Sequence, residues 1–344
     1  MMRVAALGLL ACWLVAHAWI LQTYQFTYED AIYQNQAMSS ATPPPIFRHV
    51  RSLQRGLTDY TLWWQFHLAP SPVAHRIVNL ILSVTVAGLV GLLAIHVGLS
   101  PWIAALPMLL HPFLTETLAS VAGRAELLAA CGLVGAVVWA LWVSLSPPSL
   151  WGVFVASLGS VALLWLSVLA KPTAGIGVVL VPLVMLSARP RWRIVSLGAL
   201  SLGIALAGAA MWQIRGLGEG PYTTDPLRWA HLQGAAVFRH LTLMAWPWPP
   251  AFQTVDYDYD HLSPTFLMAA WVGLSALVVG AVSLWKSHRY LSLGLWWMLI
   301  VGVPRVIVRE PRAYVSEHGM YLALVGLSLM LTAWLSPRHI DAVS

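Results

Sequence analysis

The sequence predicts an all-α integral membrane protein of about ten transmembrane helices. Three observations carry this. Of 344 residues, 59% are hydrophobic and only 9% are charged, against roughly 25% charged in an ordinary soluble domain. Apolar runs of about 17 to 24 residues recur along the chain, each long enough to cross a hydrocarbon core roughly 30 Å thick. Those runs do not alternate, and a backbone in lipid must pair its amides within its own segment, so they are helices rather than open sheet.

In chain order, spans are expected near 4–22, 74–97, 101–119, 124–145, 150–169, 172–188, 194–213, 265–285, 290–304 and 319–336. Arg3 and Ala16-His17-Ala18 also suit a cleaved signal peptide, but Trp19, Ile20 and Leu21 prolong the run and favour a retained anchor. Arg189, Arg191 and Arg193, with Lys286, His288 and Arg289, mark cytoplasmic turns. Both termini are then inside, and 23–73, 112–124, 214–264 and 305–318 are outside. Of the 13 acids, all but Asp341 fall outside or at the outer boundary. The chain reads as one polytopic domain, 1–344, with large outer loops at 23–73 and 214–264 and no soluble repeat domain. In the second loop, Pro226 to Trp248 mixes Arg228, His231, Arg239 and His240 with apolar residues, the pattern of an interfacial helix.

Cys12 and Cys131 both lie in apolar runs and form neither a disulfide framework nor a metal pattern. The formal charge of +6 is spread over many loops, which excludes a nucleic-acid face.

Several outer segments could hold chemistry. Glu29 and Asp30 stand side by side in FTYEDAIYQNQ, where a carboxylate can serve as general base or simply cap a helix. HPFLTETLASVAGRAELLAACG sets His111, Glu116, Arg124 and Glu126 near one membrane boundary, as a site or as an Arg124–Glu116 ion pair tying two helices. Lys171 precedes Pro172, which breaks the helix there, and can anchor at the interface or neutralise a lipid phosphate. Arg305, Arg309, Glu310, Arg312, Glu317 and His318 lie outside against the positive-inside bias, which a phosphate ligand would explain. Asp256, Asp258 and Asp260 alternate like a calcium loop, but His261 and Leu267 stand where glycine and glutamate are needed, so a divalent metal is only a minor option.

These segments resemble the transmembrane O-mannosyltransferases that normally carry tetratricopeptide repeats, and their bacterial relatives, within the glycosyltransferase C superfamily. The likeness runs through Phe26, Tyr28, Glu29, Asp30, Ile32 and Asn35; Arg51-Ser52-Leu53; and His75 with Asn79. Its strongest element is HPxxxExxxxxxGRxxLLAA, here His111, Pro112, Glu116, Gly123, Arg124, Leu127, Leu128, Ala129 and Ala130. Lys171, the stretch Trp246 to Tyr257, and Glu310, Tyr314 and Gly319 continue it, with Pro311 displacing an arginine to Arg312 and Ser316 standing in place of proline.

The resemblance implies a glycosyltransferase on the outer face of a bacterial inner membrane. It would move mannose or another hexose, with inversion, from a polyprenyl-phosphate sugar to a hydroxyl of a protein or glycan, without cofactor or metal. It also implies Asp30 and Glu29 as base, and Arg124, Lys171, Arg309 and Arg312 as ligands of the donor phosphate. His111, Glu116, Glu126, Arg51, Asn79, Glu310 and Tyr314 would support them. The family's repeat region has no counterpart here, so a separate subunit could dock the acceptor. A polyprenyl-phosphate transporter or flippase, and an inactive scaffold subunit, are the competing classes.

Overall fold

The computed structural model describes residues 17, 18, 20, 28–46, 55–112, 114–143, 150–188, 226–246, 263–307 and 320–336. Every regular element among them is helical: α1 Tyr28–Met38, α2 Gly56–Leu68, α3 Pro72–His96, α4 Pro101–Leu110, α5 Leu114–Ala119, α6 Arg124–Val143, α7 Leu150–Ala170, a 3-10 turn Pro172–Ile176, α8 Gly177–Ala188, α9 Pro226–Ala245, α10 Pro264–Ser287, α11 Arg289–Ile307 and α12 Ala323–Leu335. Three of them, α3, α6 and α10, are long and apolar enough to cross a membrane. Most of the first expected span, 4–22, and all of 194–213 lie outside the described residues.

Local chemistry sets the helix ends. Ser71 caps α3 by accepting from the Ala74 N–H at 3.1 Å, with Pro72 at the first helical position. Ser263 and Pro264 repeat the device on α10. Beyond α3 the chain turns through Gly98 at φ 77, a left-handed conformation that glycine adopts without steric cost.

Two expectations change. The span expected at 101–119 is two helices, because His111 precedes Pro112 and a residue before proline is pushed out of the helical region; His111 sits at ψ 131. The first outer segment, read as a loop, contains α1 and α2, packed together through Trp63 Nε1 donating to the Ser40 carbonyl at 2.9 Å.

Helices pair through small residues and hydroxyls, as membrane bundles do. Ser167 Oγ of α7 donates to the Ala129 carbonyl of α6 at 2.6 Å. Gly294 of α11 and Gly326 of α12 face each other so closely that a Cβ on either would lie 2.5 or 2.6 Å from the other's carbonyl oxygen. Only 11% of the most apolar window of α10 is buried, and Met268, Val272, Val279 and Val282 project from it. In water that face would be a large uncovered patch; in lipid it is already solvated.

The contacts sort into two ends. Arg289 Nη1 donates to the Ser187 carbonyl at 3.1 Å, joining the start of α11 to the end of α8. At the opposite end lie the starts of α3 and α6 and the ends of α4, α7 and α9. The candidate site is there.

Candidate active site

Asp30, in the first turn of α1, is wholly buried. Its Oδ1 accepts from the Val121 N–H at 2.7 Å and from the Ser120 hydroxyl at 3.2 Å. Ser120 Oγ in turn accepts from the Ala122 N–H at 3.1 Å. The α5–α6 turn thus binds the α1 acid through one backbone and one side-chain donor. Glu29 is the second residue of α1, and its side chain lies outside what the structure describes.

Below that turn, α3 supplies a polar bed. Asn79 Nδ2 donates to the Ser120 carbonyl at 2.8 Å, and its Oδ1 accepts from Arg124 Nε at 3.3 Å. Arg124 Nη2 donates to the His75 carbonyl at 3.2 Å and lies 3.3 Å from His75 Nδ1. Arg76 Nε donates to the Ala119 carbonyl at 3.2 Å. Asn79 and Arg124 are both essentially inaccessible. Arg124's hydrogen bonds therefore go to α3 rather than to Glu116, which lies half-buried on α5. Gly123 makes this compact: a Cβ there would lie 2.0 Å from the Thr117 carbonyl oxygen.

Glu126, also in the first turn of α6, forms a buried ion pair with Lys171. Lys171 is extended at φ −153, ψ 116 because Pro172 follows it, so α7 ends at Ala170 and the ammonium group turns toward α6. Thr58 of α2 donates to the Ala170 carbonyl at 2.9 Å, bringing the first outer segment onto the same corner. His111 occupies the other pre-proline corner, where its Nε2 donates to the Met244 carbonyl of α9 at 2.9 Å.

The structure thus brings Asp30, Asn79, His111, Arg124, Glu126 and Lys171 to one end of the bundle. Arg51, Arg309, Glu310, Arg312, Tyr314 and the Asp256, Asp258, Asp260 group lie outside the described residues. Among the described residues, no three His, Cys, Asp or Glu side chains come together to hold a metal ion. Sequence reasoning missed Arg76, Ser120 and the Val121 N–H. A backbone donor has no sequence signature, but an arginine entering an apolar span does. Compared with known proteins, the chain matches no family model, no curated protein and no solved structure.

Proposed function

We propose that the chain is an integral membrane glycosyltransferase of glycosyltransferase C type, acting on the non-cytoplasmic face of a bacterial inner membrane. Its donor is a polyprenyl-phosphate sugar, mannose or another hexose, and its acceptor is by default the hydroxyl of a protein Ser or Thr, with a glycan as the other candidate. Asp30, helped by Glu29, takes the acceptor proton as that oxygen attacks the anomeric carbon. The bond to phosphate oxygen breaks with inversion, and the polyprenyl phosphate leaves. Lys171, Arg124, Arg309 and Arg312 are the candidate cations for the leaving phosphate.

The observation that carries this reading is the pairing of Asp30 with the Ser120 hydroxyl at 3.2 Å, on the turn that also opens α6. An acceptor hydroxyl would take the place of Ser120's. General-base help is typically worth about 10² to 10⁴ in rate. Lys171, ion-paired with Glu126, puts a cation at the same end of the bundle, and release from that pair would let it neutralise the lipid phosphate.

The complete burial of Asp30 favours a second reading, in which the acid only clamps α1 to the bundle of a scaffold subunit. Purified protein in vesicles containing radiolabelled polyprenyl-phosphate mannose and candidate acceptors separates the classes. Label on the acceptor supports the transferase. Label that crosses the bilayer still attached to lipid indicates a flippase, and neither outcome leaves the scaffold.

A further inference from the structure

Resting on the glycosyltransferase reading above, we infer that Arg76 is a positioning residue for Asp30. It grips, from the α3 side, the segment 119–121 to which the Asp30 carboxylate is itself bound.

Arg76 belongs to none of the family-like motifs, yet it is only 4% exposed. It sits near the N-terminal end of α3, where the helix dipole disfavours a cation, so its burial there calls for a compensating partner. The Ala119 carbonyl is one, accepting from its Nε–H at 3.2 Å. Asp30 itself holds the next two residues, through the Ser120 hydroxyl and the Val121 N–H.

Three side chains thus claim consecutive groups of one short segment: Arg76 at Ala119, Asn79 at the Ser120 carbonyl, and Asp30 at Ser120 and Val121. Of the three, Arg76 is the cation, and it holds the Ala119 carbonyl that precedes the two donors to Asp30. Loss of that grip lets the turn drift. A misplacement of about 1 Å at reacting groups can cost about a hundredfold in rate.

The test is steady-state sugar transfer by Arg76→Gln, Arg76→Lys and Asp30→Asn, with kcat and donor KM measured separately. Arg76→Gln is expected to lower kcat by about ten- to a hundredfold with donor KM within about twofold of wild type. Arg76→Lys, which keeps the charge and a donor, should fall between the two. A kcat for Arg76→Gln within about twofold of wild type, or a loss confined to KM, overturns the inference. If the Gln variant fails to fold, Arg76→Lys is read by the same criteria. Full turnover by Asp30→Asn would remove the base reading itself, whereas an inactive Asp30→Asn beside an active Arg76→Gln removes only the role of Arg76.

Discussion

Replacing Lys171 by Met should destabilise the protein far more than replacing Lys171 and Glu126 together. Glu126 is 2% exposed and Lys171 9%, so removing the ammonium leaves a carboxylate buried with its ion-pair partner gone. Breaking a buried pair from one side costs about 3 to 5 kcal/mol. Glu126→Gln alone should cost less, because the lysine stem can carry its charge toward the interface. In the double variant Lys171→Met with Glu126→Gln both charges are gone, and most of the loss should be recovered. The coupling energy from such a cycle is then about 2 to 3 kcal/mol, at the upper end of the range for contacting residues. Reversible unfolding in mixed micelles measures it. Single variants within about 0.5 kcal/mol of wild type, or a double variant equal to the sum of the singles, would refute the buried pair.

Gly123→Ala would put a Cβ 2.0 Å from the Thr117 carbonyl, so the backbone carrying Ser120 and Val121 must move; overpacking of this kind costs about 1 to 3 kcal/mol. Its melting temperature and its transfer rate should both fall, while Gly88→Ala, with nothing within 4 Å, should gain up to about 1 kcal/mol; equal behaviour of the two would contradict the close approach.

The long spans were legible because composition and capping agree there. Ser71-Pro72 and Ser263-Pro264 announce α3 and α10, and an apolar run fills each helix beyond its cap. The division at His111 was hidden by its own surroundings: apolar residues on both sides outweighed one His-Pro step, although that step is what forbids a continuous helix. The same step at Lys171-Pro172 was readable because a lone lysine marked it. Helices α1 and α2 were missed since neither has the apolar stripe of a span; α1 is polar throughout much of its length, and α2 owes its burial to Leu62, Trp63 and Phe66. At the site, acids and arginines stood out as residue types, but their pairing did not. Arg124 faces Asn79 and His75 across a distance of about fifty residues in sequence, and Asp30 meets a backbone amide 91 residues away.

The proposed chemistry turns on whether Asp30 accepts a proton or merely holds α1 in place. Asp30→Asn separates these roles, since an amide oxygen can still accept from the Val121 N–H and the Ser120 hydroxyl while losing the basicity of a carboxylate. The direct measurement is the rate at which this variant, at wild-type melting temperature, transfers radiolabelled mannose from polyprenyl phosphate to acceptor. A loss of about 10² to 10⁴ is expected of a general base; turnover equal to wild type would show that the carboxylate does no chemistry.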